Sequence, residues 1–403
     1  MLSKFAQYLC NFDMDLRVTH NGRFMDQKVT PDVLSFISDC IINYTSENKN
    51  ISFCVKDIWN SDYFIKNIAL IFGKPSPKNK SAMHEYDKFI AQPIKTLEYS
   101  HILESTRNGR TTYFKIKRLD ILEFISLKDK NAFIFLTYYL DKVFKDSGIL
   151  VYFKNFINKA KNSNVTKNDF YFLKEKYQKF IIGNTPINGK VEINRIFTKI
   201  LNIFSVENNT CGTIKGHLSK RPIYYTDLMY NRTNFRDLEK EKRLTRQESK
   251  KAIQDNKSYD DYNTYLIEKA VKFIKDKYKQ SEVHDAYSAG PATYVHHIFS
   301  KNESPKIAHF LENLIKLTAE QHYTYAHPKG NTQITNTNYQ LVCLLSKSES
   351  IEKSLMNGEF FYSKLNLIFV INTGLKLEEN NKIKETSSFN EIRRGLRTIY
   401  KTI

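Results

Sequence analysis

Cysteine is scarce and scattered. Cys10, Cys40, Cys54, Cys211 and Cys343 are odd in number and form no C-x-x-C pair, which argues against a disulfide framework or structural zinc and for a reducing compartment. Long hydrophobic runs are also missing. No stretch approaches the roughly 18 apolar residues that a membrane span needs, and Met1-Leu2-Ser3-Lys4-Phe5 leads into no apolar leader segment. A cytoplasmic protein with no membrane role is expected. Internal repeats and low-complexity tracts are absent as well.

Acid is outnumbered by base. The 62 Lys and Arg against 43 Asp and Glu leave a formal charge of +19, a long-range positive field that the phosphate backbone of nucleic acid answers. Lys, Asn, Ile, Tyr and Phe are all plentiful, as A·T-rich coding sequence produces, so the charge favours nucleic acid without deciding it. With 403 residues and 41% hydrophobic content, the chain can bury a sizeable core in two or three domains.

In the N-terminal third, Thr30-Pro31-Asp32 marks a helix start, because Thr30 can cap and Pro31 fills the first helical position without wasting a donor. Val33, Leu34, Phe36, Ile37, Ile41 and Ile42 then recur at helical spacing and predict a buried face. Residues 51–55 predict a short strand, 56–72 a helix, and 81–92 a further helix ending against Pro93. Extended segments at 95–105 and 111–117 are joined through Arg107-Asn108-Gly109-Arg110, where Asn-Gly is a strong hairpin signal.

The order helix, strand, helix, helix, hairpin resembles a winged-helix module over about 30–118. Such a module sets its third helix in the major groove and its hairpin along the backbone. The resemblance implies DNA contacts from Lys80, His84 and Lys88 of the helix and from Arg107, Arg110 and Lys115 of the hairpin. An α+β scaffold with a solvated lysine face is the competing reading.

From 120 to about 205 the pattern is helical and amphipathic, with apolar stripes at 121–125, 132–144, 149–157 and 168–181. The aromatic runs Phe133, Phe135, Tyr138, Tyr139 and Phe170, Tyr171, Phe172 are expected in the helix core rather than as base-stacking surfaces. Arg221 to Tyr262 is dense in both charges, as a solvated helix or a connector is. The expected fold is α+β and mostly helical. It comprises a DNA-recognition region at 1–206 (winged-helix-like at 30–118, helical bundle at 119–205), a charged helical connector at 207–280 and a catalytic domain at 281–403.

Chemistry concentrates between Tyr294 and His327. Six of the ten histidines, His284, His296, His297, His309, His322 and His327, lie between 284 and 327. An apolar run leads into the pair His296-His297. Residues 313–317 predict a second short strand, and Thr318-Ala319-Glu320-Gln321 fits a capping box that places His322 in the first turn of a helix. Adjacent residues at a strand's end point to opposite sides, so one histidine can face a metal while the other faces a water. Single-metal phosphodiester hydrolysis needs that division: an ion on the phosphate, a base for the water, and a scaffold holding both. Taken singly, His284 and His309 are expected to be satisfied core groups, and His20, His101 and His217 surface or structural.

His-His-Ile after a strand, Asn-Leu-Ile-x-Leu, and a histidine shortly into the next helix resemble the HNH, or ββα-metal, nucleases. Carried over position by position, the resemblance implies His296 and His322 as metal ligands, His297 as general base, and Asn313 as the residue that holds the base across the connecting loop. It further implies one divalent cation, commonly Mg²⁺ with Mn²⁺ able to substitute, and 5′-phosphate and 3′-hydroxyl ends. Three departures matter. Thr318 and Gln321 stand where many relatives carry a cysteine pair, so no structural zinc is expected. The glycines often found before the Asn are replaced by residues 306–312. The position four after His322 is Ala326, with His327 one later, so His327 is a third-ligand candidate with water or Gln321 as the other choices.

The motif begins only at residue 294 of 403, and large regions appended to a nuclease choose where it cuts. The chain therefore resembles a type II restriction endonuclease, with reader and cutter apart as in the type IIS arrangement. The implied partners are double-stranded DNA, a second copy of the chain on that DNA, and a cognate DNA methyltransferase in the same host. The alternatives are a homing, phage or defence HNH nuclease of relaxed specificity, and a non-catalytic DNA-binding protein whose histidine cluster is structural.

Overall fold

The computed structural model describes residues 7–72, 74, 77–78, 83–230, 256–327, 331, 335–359 and 361–401, with 83–85 and 256–261 as backbone only. The chain is α+β and mostly helical, its strands paired in two-stranded antiparallel sheets. Among the described residues no helix is long and apolar enough to cross a membrane. Two compact units are present, Leu2–Ser258 and Tyr259–Ile403. Within the charged connector, residues 231–255 lie outside the described residues.

The N-terminal unit contains α1 (Leu16–Thr19), α2 (Pro31–Tyr44), α3 (Val55–Asn60), α4 (Asp62–Phe72) and α5 (Met83–Tyr99), followed by β1 (Leu103–Asn108) and β2 (Thr111–Ile116). Next come α6 (Leu119–Leu127), α7 (Asp129–Asp146), α8 (Leu150–Lys161), α9 (Lys167–Asn184) and α10 (Lys190–Glu207), then β3 (Cys211–Ile214) and β4 (His217–Pro222). Helix α2 is its centre, buried at every residue from Pro31 to Ile41. Its polar residues survive burial by pairing: Ser35 Oγ donates to Ser126 O at 2.8 Å and Asp39 accepts from Tyr63 OH at 2.7 Å. Thr30 sits at the N-cap position, yet its hydroxyl donates to the Asp32 carboxylate at 2.6 Å instead of capping the backbone.

Several expectations change here. Helix α5 does not stop at Pro93 but runs through it to Tyr99. Interior proline costs about 3 kcal/mol, and the helix continues because Ile94 and Leu97 beyond it are fully buried. The strand expected at 51–55 shrinks to one bridge, Phe53 with Phe114, because the Asp57 carboxylate accepts from Cys54 N at 2.7 Å and starts α3. The hairpin turn is Gly109-Arg110, shifted by one from Asn108-Gly109, with Asn108 paired to Thr111. Gly109 takes φ +59°, the positive value that a type II′ turn demands at its first central residue. The β3–β4 hairpin was not expected at all. It is clamped on α10 by Asn202, which exchanges two hydrogen bonds with the Thr213 backbone at 3.0 and 2.9 Å. Of the aromatic runs, Phe135, Tyr139 and Phe170 are core, whereas Tyr171 and Phe172 are 48% and 54% exposed.

The C-terminal unit holds α11 (Asn256–Lys277), β5 (Ala292–His297), β6 (Leu314–Thr318), α12 (Thr337–Met356), α13 (Lys364–Gly374) and α14 (Phe389–Ile399). A two-stranded sheet is marginal alone. Here β6 is buried along its whole length, and Cys343, Leu344 and Ile351 of α12 and Leu367, Val370 and Ile371 of α13 are buried with it. The apolar runs at 339–345 and 365–371 lie within these two helices. Helix α14 is capped and docked: Ser388 and Glu391 form a capping box, Ile392 and Leu396 are buried, and Arg393 meets Glu352 at 2.7 Å.

Gly374 closes α13 against the loop after β5. A Cβ at this position would lie 2.4 Å from the Phe299 ring. Gly374→Ala is expected to cost about 1–3 kcal/mol by overpacking, read as a shift in urea midpoint. An unchanged midpoint would show that Phe299 can move aside.

Candidate metal centre

β5 delivers two histidines to its end. His296 lies opposite Ile315 and His297 opposite Leu314 in the ladder, and the period of two sends their side chains to different sides. His296 is buried and His297 half-buried. After β6, Gln321 N donates to Thr318 Oγ1 at 3.2 Å while Gln321 Oε1 accepts from Thr318 N at 3.1 Å, the reciprocal capping box expected from the sequence.

The turn that this box caps is not an ordinary α-helix. Residues Gln321–Ala326 form a π-helical turn, closed by His327 N donating to His322 O at 3.1 Å. An α-helix brings residue i+4 back over residue i; a π turn, with its i→i+5 bonds, brings i+5. The extra residue between His322 and the next histidine is thereby absorbed. His322 and His327 ring centroids lie 4.9 Å apart, His296 and His327 4.8 Å, and His296 and His322 5.5 Å.

One ligating nitrogen from each of the three lies within 4.8 Å of the others. Metal–nitrogen bonds of about 2.0–2.1 Å put two ligating nitrogens at most about 4.2 Å apart, so the set needs only slight closure. Its chemistry suits a cation. His296 Nε2 and His322 Nδ1 are buried without a hydrogen-bond partner, and an orphaned buried polar group costs about 1–3 kcal/mol. Burial first, then His327, His322 and His297, holds His296 well below the usual imidazole range. His322 is lowered to about 4 by burial and by His327. Neutral imidazoles keep the lone pairs that a metal needs.

His297 stands apart from this cluster. Its ring hydrogen-bonds the backbone of Ala308, and its Nε2 has no partner. Burial, aided by the Lys301 ammonium, lowers it to about 4, so it is neutral at physiological pH. Asn313, fully buried, clasps the loop just beyond. Its Oδ1 accepts from Phe299 N at 2.9 Å, its Nδ2 donates to Phe299 O at 3.0 Å, and its own carbonyl accepts from Ile298 N at 2.9 Å. Gln340 adds a hold from α12, donating to Ile298 O at 2.7 Å while accepting from Tyr400 OH at 2.7 Å.

Sequence reasoning missed the polar knot beneath the site. Gln321 accepts from Ser281 Oγ at 2.6 Å and donates to Val283 O at 3.0 Å and Asp285 Oδ1 at 2.8 Å. Both ends of its amide are engaged, so it does not serve as a metal ligand. Asp285 also accepts from Tyr339 OH at 2.9 Å. Next to it, Glu282 pairs with Lys347 at 2.9 Å, both essentially without exposure. These bonds tie the segment before β5 to β6, the π turn and α12. Tyr294 was also missed; its ring stacks on His322 at 5.0 Å and 16°.

The proposed DNA-contacting residues are less gathered. Lys88, Arg107 and Arg110 are exposed, and Lys115 is half-buried. Lys115 sits opposite Glu104 in the hairpin ladder, three residues from Arg107 along the strand, so the two occupy opposite faces. Lys80 and the side chain of His84 lie outside the described residues. His284 is exposed rather than in the core, and His309 packs on Phe310 at 4.9 Å. No family model, curated protein or solved structure matches this chain.

Proposed function

We propose that the chain is a metal-dependent DNA endonuclease of the HNH, or ββα-metal, kind, working as a type II restriction enzyme that cuts beside its recognition site. The convergence of His296, His322 and His327 on one side of β5, with His297 on the other, carries this reading. In it, His297 takes a proton from the attacking water at Nε2, while the Ala308 carbonyl fixes its Nδ1–H and steadies the imidazolium as it forms. Asn313 keeps the backbone after His297 from shifting, and geometry of that kind decides whether a base can reach its water. The three imidazoles would hold a divalent cation, which would supply Lewis acidity toward a phosphate.

An all-nitrogen donor set suits Zn²⁺, Ni²⁺ or Fe²⁺ better than Mg²⁺ or Mn²⁺, which prefer oxygen ligands. Activity is therefore expected with transition metals as well as with the Mg²⁺ of the family resemblance. The reader is assigned to the N-terminal unit, where the element order and the positive charge of the chain suit duplex DNA. Double-strand cutting then takes two copies on one DNA or two successive nicks.

Digestion of unmethylated plasmid with each cation in turn tests this. Discrete fragments support a restriction enzyme, and a smear supports a nuclease of relaxed specificity. Retained DNA binding with no cutting under any cation rejects the hydrolytic reading. His327→Ala is expected to weaken metal binding by more than about 100-fold in calorimetry, since even outer-shell changes cost 10–100-fold. Equal affinity in that variant would remove His327 from the ligand set.

A further inference from the structure

We propose that the groove between α8 and α9 in the N-terminal unit is a stacking site for an unpaired base of single-stranded DNA. The groove encloses about 350 Å³, at the small end of the roughly 300–1,000 Å³ of ligand sites. Tyr152, Phe156 and Phe172 are its aromatic lining, and Asn155, Asn158 and the paired Lys159 and Asp169 also line it. Phe172 is 54% exposed, whereas its neighbours Phe170 and Leu173 fill the core. The Tyr152 and Phe172 rings meet edge-on at 6.3 Å and 67°, an arrangement that leaves aromatic face available to a third ring.

Charge points to the same occupant. The stretch Leu150–Asn184 carries seven lysines and two carboxylates. Both carboxylates are already paired, Asp169 with Lys159 at 2.5 Å and Glu175 with Lys179 at 2.6 Å. Lys176 Nζ lies over both rings, 5.7 and 5.3 Å from the Tyr152 and Phe172 centroids, placing an ammonium at the aromatic surface itself. Exposed aromatic rings interleaved with lysines hold single strands, the rings taking base faces and the lysines the phosphates. Asn amides are suited to base edges. A duplex hides its base faces, and an apolar protein partner would not call for so strong a positive surround. The groove belongs to the N-terminal unit alone, and its occupation does not require the metal centre to cut.

Fluorescence anisotropy of the full chain with a labelled oligo(dT) tests it, in EDTA so that the strand stays intact. With a strand of about 15 nucleotides, Phe172→Ala is expected to weaken binding about tenfold, the order of one stacked base. Phe172→Tyr should retain affinity, and binding to a duplex of equal length should not respond to either change. Phe172 is largely solvent-facing, so the variant should keep the parental circular dichroism; if it does not, Lys176→Gln replaces it, with a smaller loss and a shallower salt dependence expected. Equal oligo(dT) affinity in wild type and variant overturns the proposal. So does an equal loss on duplex, or a clear preference for oligo(rU), which would assign the groove to RNA.

Discussion

Replacing His297 with alanine is expected to slow DNA cleavage by about 10²–10⁴-fold, the usual contribution of a positioned general base. Affinity for DNA should stay nearly unchanged, because a base that acts on water adds little to ground-state binding. The separation of His297 from the three clustered imidazoles makes the experiment informative. Among the described residues His296, His322 and His327 form a group able to hold a cation, so the variant should still bind metal as the parent chain does. Single-turnover cleavage, metal titration and DNA binding, measured on one preparation, give three independent readings. Full activity would end the assignment of the base. Loss of metal together with activity would move His297 into the ligand set, and loss of folding would make it structural.

The second large effect concerns stability. Lys347 and Glu282 form an ion pair with essentially no exposure. Glu282 Oε2 also accepts from Lys316 N at 2.9 Å, and Lys347 donates to Tyr362 OH at 2.9 Å. Removing one partner strands a buried charge, which costs about 3–5 kcal/mol. Lys347→Met is therefore expected to lower the stability of the C-terminal unit by that amount in urea titration. Adding Glu282→Gln should recover much of the loss, because the stranded charge goes with it. Metal affinity should fall in the single variant too, since Glu282 ties the segment before β5 to the backbone of β6. A loss below about 1 kcal/mol would mean that water or a neighbour replaces the ammonium.

The candidate site was partly legible, and the reason differs from residue to residue. His296, His297 and Asn313 could be placed because a strand end and a short loop confine them to one neighbourhood. The Thr318–Gln321 capping box has a fixed offset of three, and its two hydrogen bonds are present. His327 was ambiguous because four-residue spacing assumes α geometry, which the π turn replaces. Gln321 looked like a spare ligand, and only its four bonding partners show that it is a brace. Helix α5 was cut short at Pro93 because proline's local cost is readable, whereas the burial of Ile94 and Leu97 that outweighs it is not.

By itself the sequence determined the interactions that act within a few residues: helix starts, the Gly109 turn, the alternation that splits the histidine pair, and the amphipathic periods of the helices. Only the tertiary structure decided which long-range partners meet. Glu282 finds Lys347 across 65 positions, Asn202 of α10 holds the β3–β4 hairpin, and Phe172 turns to solvent while Phe170 turns to the core. Local signals are short-ranged because they rest on backbone sterics and single hydrogen bonds. Partner choice depends instead on where whole helices come to rest, and that is settled by the burial of apolar surface over the entire unit.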